Sequence, residues 1–191
     1  RHCPRVRTMN SKMIPVAVIN PDAPVESLEA KQPPIDNGAE IYGKDGYFSA
    51  EQMQREWNKV WTQSWLIAGV SSDIPKLGDY FLFRVRSESI IVTRTQEGIK
   101  AFYNVCPHRG ARLLIEERGN KKVFVCPFHS WSFRNSGELR TITDEETFQE
   151  PVICHRPGLT PVACEEHAGL VFVSMADTPS PLKEAVGLPE G

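Results

Sequence analysis

Two short motifs constrain this chain more than any other feature. Cys106-Pro-His108 places a thiol and an imidazole two residues apart, and Cys126-Pro-Phe-His129 places the same pair three residues apart. Each proline fixes one backbone torsion and removes one amide donor, so a tight turn can direct both side chains of its motif to one side. The spacing predicts two small loops that face each other across a site with two sulfur and two nitrogen ligands.

The division of these ligands discriminates between metal sites. In a [2Fe–2S] cluster of the Rieske type, two thiolates hold one iron and two imidazoles hold the other, so each loop supplies one ligand to each iron. A structural zinc site also accepts two cysteines and two histidines, but zinc motifs usually group cysteine with cysteine and histidine with histidine. We therefore predict that Cys106, His108, Cys126 and His129 bind a [2Fe–2S] cluster, with a zinc-stabilised binding module as the alternative.

The residues around the motifs resemble a known family. Cys106-Pro-His-Arg-Gly-Ala-Arg-Leu113 and Val125-Cys-Pro-Phe-His-Ser-Trp-Ser-Phe133 are similar to the N-terminal Rieske domain of the large (alpha) subunit of aromatic-ring-hydroxylating oxygenases. The resemblance runs from about Tyr47 to Pro181. It implies a mainly β fold: a Rieske-type antiparallel β-sandwich with a small cluster-binding subdomain, preceded by an N-terminal helix.

Three positions in the loops refine the resemblance. Respiratory-chain Rieske proteins carry an additional cysteine in each loop, joined as a disulfide, whereas the corresponding positions here are Ala111 and Phe128. The absence of these two additional cysteines points to the group of Rieske proteins that feeds electrons to oxygenases and away from quinol oxidation. Ser130 follows the second ligand histidine, where the oxygenase family usually has glycine, and we expect a local adjustment of the loop there.

The first 64 residues differ from the rest of the chain in the secondary structure that their sequence predicts. Residues 1–46 contain prolines and glycines that interrupt any period, which predicts a leader, either a simple tail or an arm that embraces a neighbouring subunit. A helix is predicted over 47–64, with Ser49 as its cap and Gln52 reaching back to it. Its apolar face should pack on the β domain; that face consists of Met53, Trp57, Val60 and Trp61.

Short β-forming runs separated by turn signals follow in residues 65–176, and they predict antiparallel strands of the Rieske domain. The predicted strands are Trp65–Val70, Tyr80–Val85, Ser89–Thr93, Ile99–Tyr103, Lys122–Val125, Trp131–Phe133, Thr160–Glu165 and Gly169–Ser174. Residues 177–191 resemble the exit segment that leads to a C-terminal catalytic domain. No room is left for that domain before Gly191, so we expect a fragment or a truncated alpha subunit.

Composition narrows the cellular setting and the partners. The net charge is −2, which gives no reason to expect nucleic acid or an anionic membrane as a partner. No apolar run is long enough to cross a bilayer or to form a signal-peptide core. Beyond the two ligand cysteines, Cys3, Cys154 and Cys164 make an odd set, which argues against a disulfide framework. We expect a reducing, cytoplasmic location.

Several other side chains could have either a functional or a structural role. Arg109 lies next to a ligand and could raise the potential or pair with a partner's carboxylate, or be a solvated or structural arginine. Trp131 could shield the cluster or form a docking surface, or be an ordinary core residue. We expect His155 and His167 to be surface or satisfied histidines. Cys154 and Cys164 are expected to be small buried apolar residues.

The resemblance implies a relay of single electrons. An NAD(P)H-dependent reductase or a ferredoxin would reduce the cluster. The acceptor would be a mononuclear Fe(II) site in a catalytic domain absent from this chain, possibly of a neighbouring subunit in a homotrimer. The chain itself is then expected to hold no catalytic residue while serving an oxidoreductase that hydroxylates an aromatic substrate. The alternative is a stand-alone Rieske-type ferredoxin, which is usually shorter than this chain.

Overall fold

The centre of the molecule is a strand with apolar side chains on both faces. A computed structural model describes residues 43, 45–148 and 158–187. The central strand contains Ile90, Ile91 and Val92, which are completely buried. Successive side chains of a strand point to opposite faces, so Ile91 packs into one core while Ile90 and Val92 pack into another.

Within the described residues, ten strands form two antiparallel sheets. The strands are β1 Trp65–Val70, β2 Asp79–Val85, β3 Glu88–Thr95, β4 Gly98–Tyr103, β5 Arg118–Asn120, β6 Val123–Val125, β7 Ser132–Arg134, β8 Leu139–Thr141, β9 Pro161–His167 and β10 Leu170–Ser174. The seven-stranded sheet has the order β1-β10-β9-β4-β3-β2-β5, and the three-stranded sheet has the order β6-β7-β8. The predicted mainly β, antiparallel architecture is confirmed.

The two cores explain the sandwich. On one face of β2, β3 and β4, apolar side chains meet those of β9 and β10, including Val162, Val171 and Val173. On the other face, Tyr80, Leu82, Ile91 and Phe102 meet the three-stranded sheet and the ligand loops, whose buried members include Phe124, Trp131 and Phe133. The second core therefore supports the loops that carry Cys106 and Cys126.

The eight predicted strands are all present, with shifts of one or two residues at their ends. Strands β5 and β8 were not predicted, because neither Arg118-Gly-Asn120 nor Leu139-Arg-Thr141 has the apolar alternation of a half-buried strand. Their pairing is supplied by β2 and β7, so tertiary context forms them.

The N-terminal helical segment departs from the prediction. It consists of α1 (Asp45–Phe48), α2 (Ala50–Glu56) and a π-helical stretch, Trp57–Trp61. Ser49 caps α2 as predicted, its hydroxyl accepting the amide of Gln52 at 3.0 Å. The side chain of Gln52 does not reach back to the cap: its amide donates to Glu56 and its carbonyl accepts from Arg55.

The prediction that the apolar helix face packs on the β domain is wrong. Met53, Val60 and Trp61 are exposed. Trp57 is half-buried, and the guanidinium of Arg86 lies 5.3 Å from the centre of its ring. One cation–π contact thus links this segment to the β2–β3 turn.

The segment after the last strand is tied back to the sheet. The indole of Trp65 donates to the carbonyl of Ser180 at 2.8 Å, and the amide of Leu182 donates to Glu165 at 3.1 Å. Leu182 is buried at the start of α3, Leu182–Val186. None of the helices in the described ranges is long and apolar enough to cross a bilayer.

A glycine next to the loop-side core provides a test of this packing. Gly137 has a φ of 93°, and a Cβ there would lie 2.3 Å from Cε1 of Phe102. We predict that Gly137→Ala lowers the free energy of unfolding by about 1–3 kcal/mol more than Gly98→Ala, measured by urea denaturation. Gly98 is the matched control because its φ is also positive, 115°, and a Cβ at that position would meet no atom within 4 Å. Equal losses in the two variants would contradict the packing.

Candidate metal centre

The two ligand motifs form a pair of loops with the same backbone hydrogen bonds. In the first loop the amide of Cys106 donates to the carbonyl of Ala111 at 2.7 Å, and the amide of Gly110 donates to the carbonyl of Cys106 at 2.9 Å. In the second loop, Cys126 donates to Trp131 at 2.7 Å and Ser130 donates to Cys126 at 2.9 Å. Each loop is therefore closed around its cysteine in the same way.

The symmetry of the backbone is broken by the side chains. Phe128 stands in the second loop where His108 stands in the first, and His129 stands where Arg109 stands. The two imidazole rings nevertheless meet, with centroids 4.8 Å apart and planes at 63°. Both cysteines are 1% exposed. The structure thus brings the two imidazoles together, and it brings the two buried thiols together within the loop-side core.

A left-handed turn ends each loop. Gly110 has a φ of 72° and Ser130 a φ of 60°. This conformation explains why glycine is usual after the second histidine in the family that the sequence resembles, since a residue with a Cβ is destabilised by about 1–2 kcal/mol there. The expected adjustment at Ser130 is a positive φ, and the loop closes without further change.

The described site contains three buried side-chain nitrogen atoms without hydrogen-bond partners. Among the described residues, three buried side-chain polar atoms have no hydrogen-bond partner, and all three are here: Nδ1 of His108, Nδ1 of His129 and Nε1 of Trp131. Buried polar groups are normally paired, so such an atom needs an explanation. Two imidazole nitrogens left unpaired next to two buried thiols are a donor set for metal ions, which suits a cluster with two nitrogen and two sulfur ligands.

Burial also sets the protonation of these groups in the metal-free protein. Burial, with a smaller effect of the neighbouring Cys126 thiol in the same direction, raises the pKa of Cys106 to about 11. Burial lowers the pKa of His108, with smaller effects of His129 and Arg109 in the same direction. The imidazole is therefore held neutral, as a metal ligand must be, whereas the thiol becomes a thiolate when a metal replaces its proton.

The arrangement differs from that of a single-ion site. Throughout the described ranges, no three His, Cys, Asp or Glu side chains come together closely enough to hold one metal ion. A zinc site requires four ligands around one point. A cluster spreads them over two irons, with the thiols on one side and the imidazoles on the other.

The imidazole side of the site opens to solvent. A cleft of about 470 Å³ is lined by both histidines together with Arg109, Ser130, Trp131, Thr143, Asp144, Thr147 and Phe148. The cysteines lie behind it in the core. A partner can therefore approach the imidazoles without approaching the thiols.

Comparisons with known proteins place the region that contains these loops in a family. The family described as Rieske [2Fe-2S] domain matches residues 64–156. The chain contains a Rieske [2Fe–2S] domain. The carnitine monooxygenase oxygenase subunit of Escherichia coli is 35% identical over 133 residues, which are 68% of this chain and 34% of that protein. The large oxygenase component of the naphthalene 1,2-dioxygenase system of Pseudomonas aeruginosa is 36% identical over 140 residues, 72% of this chain and 31% of that protein.

Solved structures agree with the Rieske assignment. The apo form of a quaternary ammonium Rieske monooxygenase superposes with a TM-score of 0.71 at 29% identity, covering 76% of this chain and 43% of that one. A naphthalene 1,2-dioxygenase mutant bound to phenanthrene gives 0.66 at 34% identity, covering 72% and 31%. The Rieske chain spans about a third of the length of the curated relatives it matches. These relatives are oxygenases.

The remaining predicted residues fall in different places. Arg109 is exposed at the cleft. Trp131 is 2% exposed and stacks on His108, a position that suits shielding rather than docking. His167 lies at the β9–β10 turn, half-buried and away from the cleft. Cys164 is half-buried rather than fully buried as predicted, and burial, followed by the effects of Glu165 and Glu166, raises the pKa of its thiol to about 12. Cys3, Cys154 and His155 lie outside the described residues.

Sequence reasoning missed Asn104. Its side chain, 3% exposed, donates to the hydroxyl of Ser89 and to the carbonyl of Leu114, and it accepts the amides of Leu113 and Leu114. It therefore joins the start of the first loop to its end. A signal existed: Asn104 is the polar residue at the end of an apolar strand, two positions before a ligand.

We predict that Asn104→Ala lowers the free energy of unfolding by about 2–4 kcal/mol, because it leaves buried amides and a carbonyl without partners. Urea denaturation measures the loss. Ser89→Ala is the matched control, since it removes only one of the four hydrogen bonds, and it should cost about 1 kcal/mol or less. If both variants unfold at the same urea concentration, Asn104 does not hold the loop.

The left-handed turns give a second prediction. We expect Ser130→Gly to raise the free energy of unfolding by about 0.5 kcal/mol, because relief of the positive φ exceeds the extra chain entropy of glycine. Gly110→Ala should lower it by about 1 kcal/mol in the equivalent turn, since its Cβ would meet no atom within 4 Å. Thermal unfolding of both variants measures the pair. A marked loss of stability in Ser130→Gly would show that the serine makes a needed contact.

Proposed function

We propose that Cys106, His108, Cys126 and His129 hold a [2Fe–2S] cluster and that the Rieske domain relays single electrons within an oxygenase large subunit. One observation carries the ligand assignment: both histidines keep a buried Nδ1 without a hydrogen-bond partner, beside two buried cysteines. Nothing in the described protein satisfies these nitrogens, whereas iron would. Nδ1 is therefore the ligating atom of each imidazole.

The cluster, when bound, supplies a one-electron redox centre whose imidazole ligands raise its potential above that of an all-cysteine cluster. The protein's own groups prepare the site for it. Cys106 and Cys126 lose their protons when a metal binds, since burial otherwise keeps the Cys106 thiol protonated. The amides of Cys106 and Cys126 are used within the loops, which fixes the sulfur positions before any metal arrives.

Electrons enter and leave on the imidazole side. His108 and His129 line the open cleft, whereas both cysteines lie in the core. A donor or acceptor that fills the cleft comes into contact with the imidazole rings, and this is the shortest route from the surface to the site. Arg109, exposed at the rim, is placed to pair with an acidic group of such a partner.

The partners follow from the same proposal. The donor is an NAD(P)H-dependent reductase or a ferredoxin, and the acceptor is a mononuclear iron site in a catalytic domain, in a neighbouring subunit of a homotrimer. A solved relative, described as a quaternary ammonium Rieske monooxygenase, is reported with inter-subunit electron transfer. We propose that the segment from residue 177 leads toward that domain. We propose a reducing, cytoplasmic location, which suits both an iron–sulfur cluster and the free thiol of Cys164.

The substrate class is broader than the aromatic one predicted from the sequence. Glycine betaine monooxygenase of Chromohalobacter salexigens is 36% identical over 125 residues, the same identity as the naphthalene dioxygenase component. This chain spans only 28% and 31% of these two relatives, so identity over the matched part does not select a substrate. We therefore propose oxygenation of an organic substrate, with aromatic compounds and quaternary ammonium compounds as the two classes to assay.

Variants of the ligands test the proposal. We predict that the wild-type protein contains two irons and two acid-labile sulfides and gives, after dithionite reduction, the electron paramagnetic resonance spectrum of a Rieske cluster. Cys106→Ser should lose most of the cluster. His129→Cys should keep part of the iron with a lower potential, because a thiolate replaces a neutral imidazole.

Controls come from the same chain. Cys164→Ser and His167→Gln change a cysteine and a histidine that lie outside the site, and both should keep the wild-type iron content and spectrum. A colourless, zinc-loaded wild-type protein would reject the cluster, and a normal spectrum in Cys106→Ser would reject this ligand set.

A further inference from the structure

One imidazole of the site is covered by aromatic rings from outside its own loop. The indole of Trp131 stacks on His108 with centroids 4.6 Å apart and planes only 4° from parallel. Phe148 meets both rings edge-on, at 5.6 Å from His108 and 5.4 Å from Trp131. Trp131 is 2% exposed, and Phe148 packs against the same core. The stack therefore lies where the loop-side core meets the cleft.

Among the described residues, no such cover lies on the other imidazole. His129 contacts Phe128, with centroids 4.1 Å apart and planes at 43°. Phe128 is 60% exposed, so water reaches this ring pair. The loops show why the cover is one-sided: Trp131 occupies the position that Ala111 occupies in the first loop, and a methyl group cannot stack on an imidazole. The environments of the two histidines thus differ in polarity, although their loops close with the same backbone hydrogen bonds.

We propose that Trp131, supported by Phe148, is a positioning residue that fixes the orientation of His108 and lowers the reduction potential of the cluster by shielding it. This inference rests on the proposed function, because it requires His108 to be a ligand. Trp131 contacts the imidazole of His108, so it would act on the cluster through that ligand.

The direction of the shift in reduction potential follows from the total charge of the cluster. Two ferric irons, two sulfides, two thiolates and two neutral imidazoles sum to zero, and one added electron makes the reduced state negative. An apolar aromatic cover disfavours the charged state relative to the neutral one. The negative face of the indole also stabilises the imidazole ring best when that ring carries more positive charge, which is in the oxidised state. Both effects favour the oxidised form.

Replacement of the cover should therefore raise the potential. We expect Trp131→Leu to shift the equilibrium toward the reduced cluster about tenfold, which is ~59 mV for a one-electron couple. Trp131→Phe keeps a ring on His108 and should remain close to the wild-type potential. Phe148→Leu removes only the edge-on support and should shift the equilibrium in the same direction as Trp131→Leu but less. The measurement is a redox titration of the full chain near neutral pH, followed by electron paramagnetic resonance.

The control is Phe128→Leu, which changes the solvent-exposed ring beside His129 and should shift the potential much less than Trp131→Leu does. Iron content and the nitrogen couplings of both histidines, measured in every variant, separate this inference from the ligand assignment: without a Rieske spectrum in the wild type, the proposed function itself fails. Given that spectrum, an unchanged or lower potential in Trp131→Leu overturns the inference. An equal shift in Trp131→Phe or in Phe128→Leu overturns it as well. If Trp131→Leu loses its iron, Phe148→Leu decides: a rise supports the shielding and no shift overturns it.

Discussion

The structure depends on holding two polar loops at the surface of an apolar core without leaving their backbone unpaired. Each loop solves this with the same two hydrogen bonds around its cysteine, which close the turn and use the amides of residues 106, 110, 126 and 130. The cysteine side chains then enter the core, where burial is favourable for a thiol. The imidazoles remain nearer the surface, with one nitrogen each unpaired. Under the proposed ligand assignment, loop folding prepares metal binding, because two of the three unsatisfied side-chain nitrogens in the described residues are those that a cluster would bind.

The central sheet connects this site to the rest of the fold. Strand β3 is buried on both faces, so the loop-side core and the opposite core share one rigid wall. Asn104 fixes the first loop to that wall through Ser89, a residue of β3, and through the backbone of Leu113 and Leu114. A change in the position of the first loop would thus break buried hydrogen bonds, which opposes movement of His108 relative to His129. Such rigidity suits electron transfer, since little needs to rearrange when one electron is added.

The sequence was most informative where local chemistry is strict. Cys-x-His and Cys-x-x-His fix which side chains can share a metal, and eight strands followed from β-branched and aromatic runs between turn residues. It was less informative where tertiary context decides. Strands β5 and β8 form because neighbouring strands offer hydrogen bonds, and Asn104 gains its role from partners nine to fifteen residues away. The helix face at Met53, Val60 and Trp61 has the period of a packed helix, yet a period cannot say which surface, if any, of the same chain lies opposite.

The central claim is that two opposed loops present Nδ1 of His108 and Nδ1 of His129, with two thiolates, to one cluster. Pulsed electron paramagnetic resonance of the reduced protein, labelled with ¹⁵N at histidine Nδ1 alone, tests it most directly. The account predicts two distinct, strong ¹⁵N couplings in the wild type and the loss of one of them in His129→Cys. Strong couplings that arise from unlabelled nitrogen, or a single coupling in the wild type, would contradict it.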